Sequence, residues 1–178
     1  MIWESSDWKK PLLRMAKRLE KLKITKDITD KQFIQIEKDI FIGFYSIRKL
    51  IDTVTKVTDD TKNLKVSILW HPNIKNVTLL NYWNIHELYD LQTKQEETRD
   101  IYFISSRIIH SFIFSPLLSE EGELEGILFT SDIDKDKKIY YMDIDLVIKV
   151  FRIVGNDYPT YIEMGFNPDT NKEQVKVK

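Results

Sequence analysis

Residues 93–114, TKQEETRDIYFISSRIIHSFIF, decide how this chain is read. Thr93 followed three positions later by Glu96 has the form of a capping box, and Glu97 and Asp100 add negative charge where a helix N-terminus favours it. Beyond Asp100 the apolar residues cover one wide face (Ile101, Ile104, Ile108, Phe112) and its neighbour (Tyr102, Ile109, Ile113), which leaves little surface for water. The pattern predicts one long core helix, stopped by Pro116. The remaining strip carries Ser106, Arg107 and His110, three or four positions apart and able to touch one another. A helix otherwise so apolar is expected to place that strip against a partner or a cleft.

Working outward, residues 6–23 predict a first helix, capped by Ser6 or Asp7, with Trp8, Leu12, Met15, Ala16, Leu19 and Leu22 on its inner face. A second capping box, Thr29 with Gln32, opens a helix expected to reach residue 57, apolar enough to be buried on two sides. Glycine is costly in the middle of a helix, so Gly43 implies close approach of a neighbour, with helix 93–114 the expected one. Residues 66–70 (VSILW) and 77–82 (VTLLNY) suggest a hairpin around His71-Pro72-Asn73, followed by a short helix at 84–91. Strands are expected at 124–130 and 139–142, then a helix from 143 or 145 to 154 closed by Gly155, and a strand at 161–166. The order implies an α+β fold: a single domain over 1–170 with three long helices, a short helix and small antiparallel hairpins, and a frayed tail at 171–178.

A chain of 178 residues is long enough to bury roughly 70% of its unfolded surface in one core. The absence of cysteine excludes disulfides, thiolate metal sites and a cysteine nucleophile, and points to a reducing compartment. The N-terminal sequence MIWESSDWKK has charges where a signal peptide needs an apolar run, so a cytoplasmic location away from membranes is expected. Charge is unevenly placed. Residues 9–26 hold eight Lys or Arg (9, 10, 14, 17, 18, 21, 23, 26) against Glu20, a local net of +7 in a chain of net −1. Lys9, Lys10, Arg14, Lys17, Arg18 and Lys21 therefore define a candidate face for nucleic acid or an acidic protein. Residues 120–145 hold nine Asp or Glu against three Lys, so the two regions could also pair copies of the chain into a homo-oligomer.

Neither glycine-rich phosphate loop occurs, nor GxSxG, nor HExxH, and no cofactor is implied. His86-Glu87 lacks the second histidine of a zinc site. Asp132, Asp134, Asp136 and Asp143 have the spacing of a calcium loop, but Lys137 stands where glycine is required, and a charged turn between strands is the better account. No metal is expected. Arg107 with His110 is the constellation that carries chemistry: a histidine can move a proton while a guanidinium holds a scissile phosphate, with Ser106 assisting. The Arg107-Ile108-Ile109-His110 segment within the long helices resembles the HEPN family, helical proteins of bacterial toxin and phage-defence systems. Its ribonuclease members place an arginine and a histidine at wider spacing. The resemblance implies metal-independent RNA cleavage by Arg107 and His110.

The stretches IFIGFYSIRKLID (40–52), VTLLNYWNIHELYDL (77–91), IIHSFIF (108–114) and VGNDYP (154–159) are similar to an uncharacterised family of small bacterial hypothetical proteins, a similarity that implies no activity. The function expected first is non-catalytic binding of another protein or of nucleic acid. The HEPN-like ribonuclease is the alternative, and a structural subunit anchored by Trp3, Trp70 or Trp83 is a third.

Overall fold

The structure, a computed structural model, describes residues 2–22, 28–166 and 170–178. Strands β1 (Lys65–Pro72), β2 (Gln95–Asp100), β3 (Ser111–Leu118), β4 (Leu124–Ser131) and β5 (Lys138–Asp143) form an antiparallel sheet in the order β2-β1-β5-β4-β3. Trp70, Tyr140, Phe129 and Phe114 are register partners across four of these strands and so share one face. That face is covered by α1 (Ser6–Glu20), α2 (Asp30–Asp52), α5 (Ile101–Ile109) and α6 (Ile144–Asn156), and the main core lies between sheet and helices. On the other face Leu128, Ile139 and Tyr141 pack with Val77, Leu88 and Tyr89 from the connection between β1 and β2, which includes the one-turn helix α4 (Ile85–Leu88). Another one-turn helix, α3 (Asp59–Lys62), precedes β1, and strands β6 (Ile162–Phe166) and β7 (Glu173–Val177) form a separate hairpin. The molecule is a single α+β domain, as the order of elements in the sequence implies.

The long helix expected over 93–114 does not form. Gln95–Asp100 pairs with β1 over six register positions, so Glu96 and Glu97, expected in the first turn of a helix, are in an edge strand that Thr93 precedes. The true N-cap is Asp100, whose carboxylate accepts a hydrogen bond from the Phe103 amide at 2.7 Å. The helix α5 lasts nine residues. Residues 111–118 then pair with β4, with Pro116 on the outer strand, where a missing N–H is tolerated. Phe112, Ile113 and Phe114 fit a helix face and a half-buried strand equally well, and partner strands decide between them.

Other boundaries shift too. Residues 77–82 are a turn, and β1 pairs with β2 and β5 instead of forming the expected local hairpin. The second helix stops at Asp52, five residues early. The tail expected to fray carries β7, fixed by its pairing to β6 and by Asp59 accepting from the Val177 amide at 3.0 Å. Gly155 lies inside α6, where the space it leaves is taken by Leu13. At Gly43 the close neighbour is the Phe151 ring of α6 and not helix 93–114: a Cβ there would come within 2.6 Å of Phe151 Cε2.

Candidate functional site

The exterior of α1 is the most distinctive charged surface. Its apolar positions Leu12, Met15, Ala16 and Leu19 are buried, and helical spacing leaves Lys10, Arg14, Lys17 and Lys21 exposed in one stripe. Over eleven residues at 1.5 Å rise the stripe is about 17 Å long. Two of the six expected contact residues do not serve as free cations. Lys9 is completely buried: its Nζ donates to the Asp157 carbonyl and stands 4.5 Å over the Tyr158 ring, and burial lowers its pKa. Lys9 is thus a core residue, brought inward by its place one turn before Leu12 and Leu13 and satisfied by the end of α6. Arg18 donates to both oxygens of Asp39, at 2.9 and 2.5 Å, a bidentate pair that raises the guanidinium pKa, and Gln35 donates to the same carboxylate at 2.9 Å. Glu20 is taken by Arg152 at 2.7 Å. Among the described residues Lys10, Arg14, Lys17 and Lys21 form no salt bridge. Lys23 and Lys26 lie outside the described residues.

Ser106, Arg107 and His110 are sent to three different places. Ser106 donates to the Tyr102 carbonyl at 2.8 Å and accepts from Arg48, which also donates to the Tyr102 hydroxyl, stacks 3.6 Å from that ring and pairs with Asp52 at 3.0 Å. Arg107 leaves the helix on another side. It pairs with Asp134 of the β4–β5 turn at 2.6 Å and lies over the Phe103 ring at 4.6 Å. Arg107 Nε is misaligned for a directed hydrogen bond, so this contact is an ion pair held by charge. His110 is the C-cap of α5 and is exposed. It is therefore neither a core histidine nor joined to Arg107, because the helix meant to carry both ends one residue before it.

At the same end of the sheet, Glu97 joins Arg99 at 3.0 Å and Lys138 at 2.7 Å, and Lys138 sits 4.6 Å over the Trp70 ring. Burial alone would raise the Glu97 pKa, but the bonds from Arg99 and Lys138 hold it below the ordinary carboxylate value. Burial, helped by Asp134 and Glu97, pushes the Tyr140 phenol up to about 12. Glu97 thus answers two cations, each of which also lies over an aromatic ring, Arg99 over Phe103 and Lys138 over Trp70.

Among the described residues no cluster of three metal-ligating side chains exists. Asp132 pairs with Lys135, Asp134 with Arg107, and Asp136 accepts from the Val77 amide at 2.8 Å, so the calcium-like spacing is spent on building a turn. Of the three tryptophans expected as anchors, Trp3 and Trp83 are exposed and Trp70 is half-buried. No described helix is long and apolar enough to cross a membrane. Sequence reasoning missed the role of Asp39, a buried carboxylate one turn from Ile36 and Gly43 whose only advance signal was a charge on an inward-facing position of α2. Comparison with protein-family models, with curated proteins and with solved structures gave no match.

Proposed function

We propose that the protein is a soluble cytoplasmic binding protein without catalysis, whose stripe of Lys10, Arg14, Lys17 and Lys21 engages an anionic partner. Nucleic acid is the partner favoured over an acidic protein. The observation that carries this is the contrast on α1: Lys9 and Arg18 are committed within the fold, while the four remaining cations share one exposed line without salt-bridge partners among the described residues. A linear array of cations of this length suits the evenly spaced phosphates of a nucleic-acid backbone, which are met without base readout. The ribonuclease alternative requires Arg107 and His110 to address one phosphate, and their separate surroundings offer no support for it.

The test is retention of unrelated DNA and RNA duplexes as salt is varied. Binding should be indifferent to sequence and should weaken steeply between about 50 and 200 mM salt as condensed counterions are released. The variant carrying Lys10→Glu, Arg14→Glu, Lys17→Glu and Lys21→Glu should lose it. Affinity flat across that salt range, or unchanged in the variant, would eliminate this mode.

A further inference from the structure

On the flank of the cationic stripe, the C-terminal half of α1 and the N-terminal half of α2 leave a groove of about 730 Å³. This is within the range of small-molecule sites, about 300–1,000 Å³. Its floor is Leu19, Leu22 and Ile36. The aliphatic stems of Arg14, Lys17 and Lys21 form its rim and carry their charges to the mouth. The one carboxylate among its lining residues is already committed, since Asp39 accepts from Arg18 and from Gln35. A guest therefore meets an apolar floor, an Asp39 carboxylate already answered by Arg18 and Gln35, and three cations at the rim with no salt-bridge partner among the described residues.

We infer that this groove binds a single-chain anionic amphiphile, a long-chain fatty acid, with its hydrocarbon on Leu19, Leu22 and Ile36 and its carboxylate at Arg14, Lys17 and Lys21. A nucleotide base would find the Asp39 acceptors already taken by Arg18 and Gln35, and its polar edge would lie against the apolar floor. A neutral hydrocarbon would leave the rim charges unused, and a phosphate backbone would leave the floor uncovered. The inference goes beyond the proposed function: it shares three cations with the stripe but depends on the floor, which polyanion binding does not.

Calorimetric titration of the full chain with sodium laurate below its micelle concentration tests it. Saturable binding of one laurate per chain is expected, falling by about fourfold for each methylene removed toward hexanoate. Dodecyl maltoside and dodecyltrimethylammonium should bind at least about tenfold more weakly, since each lacks the anionic head. Inorganic phosphate should give no heat, and dodecyl phosphate, with the greater negative charge on the same chain, should bind at least as tightly as laurate. Leu22→Trp, which fills the groove and leaves every cation in place, should abolish laurate binding while nucleic-acid retention persists. Lys17→Glu with Lys21→Glu should weaken laurate by about tenfold or more, with circular dichroism confirming that both variants fold. Equal affinity for laurate and dodecyl maltoside, binding indifferent to chain length, unsaturable uptake, or a Leu22→Trp protein that binds laurate as before would each overturn the inference, whatever becomes of nucleic-acid binding.

Discussion

Arg107 and His110 sit three positions apart, yet one belongs to the framework and the other to solvent. Asp134 is largely buried, and Arg107 is its counterion; removing the guanidinium leaves a buried carboxylate without countercharge, held by the Ser131 hydroxyl at 3.2 Å. Arg107→Ala should cost about 1–3 kcal/mol, the penalty for a buried carboxylate that has lost its charge partner. His110→Ala should stay within about 0.5 kcal/mol, as exposed sites generally do. Urea denaturation of both variants checks this, and a His110→Ala protein as unstable as Arg107→Ala would show that the imidazole is part of the core. That Ser106 and Arg107 lie on a helix was legible in the sequence; that it ends before His110 was not. Nor were their partners, because Arg48 and Asp134 come from elements remote along the chain and helical spacing says nothing about which of them arrives.

At the scale of elements, the first two helices and α6 were readable because their apolar residues repeat at one helical period, and capping side chains mark the starts of α2 and α6. The start of α1 has no such mark: its N-cap is Ser5, without a side-chain cap hydrogen bond, and not the expected Ser6 or Asp7. The segment 95–118 defeated the same logic. Thr93 and Glu96 imitate a cap, while the residues that make 95–100 a strand are those of β1, whose Val66 and Ile68 lie opposite Arg99 and Glu97. Pairing of that kind is a tertiary fact with no local trace. Gly43 was correctly a mark of close approach, but the visitor is a ring from α6 where a helix backbone was expected. Because that ring leaves no room for a methyl, Gly43→Ala should destabilise the protein by about 1–3 kcal/mol despite the better helix propensity of alanine. Phe151→Leu in the same chain should return part of the loss, so a double-mutant cycle should give a coupling of at least about 0.5 kcal/mol. Strict additivity of the two melting shifts would mean the contact does not limit packing.

For the molecule as a whole, opposite limbs of a stability-against-pH curve are assigned to particular groups. The folded state holds the Glu97 pKa below its unfolded value, so its contribution is complete above about 4.3 and is lost as pH falls through the lower folded value. Tyr140 is raised in the folded state, so its contribution is complete below about 10 and is lost as pH rises toward the folded value of about 12. Tyr89, whose hydroxyl donates to the Lys135 carbonyl at 2.7 Å, is raised further by burial and acts in the same direction. Melting temperatures across pH should show Glu97→Gln with a shallower acid limb and Tyr140→Phe with a shallower alkaline one. An acid limb as steep in Glu97→Gln as in the parent would remove Glu97 from the explanation. The fold class was legible from the order of elements alone, while the size of the sheet was not, since it required a segment taken for helix to supply two of its five strands.

Those two strands, β2 and β3, are the outermost of the sheet, and the nine-residue α5 is what joins them. Four steps between neighbouring strands separate the edges by about 19 Å, and the helix, about 14 Å long, spans most of that distance before its caps, Asp100 and His110, complete it. The breadth of the sheet thus acts as a gauge for the helix. A gain or loss of one turn, about 5.4 Å, would drag an outer strand along its neighbour and turn its inward side chains to water. As such a lineage diverges, insertions and deletions can accumulate between β1 and β2 or in the β3–β4 and β4–β5 turns, but the block from residue 95 to 118 must be inherited at constant length.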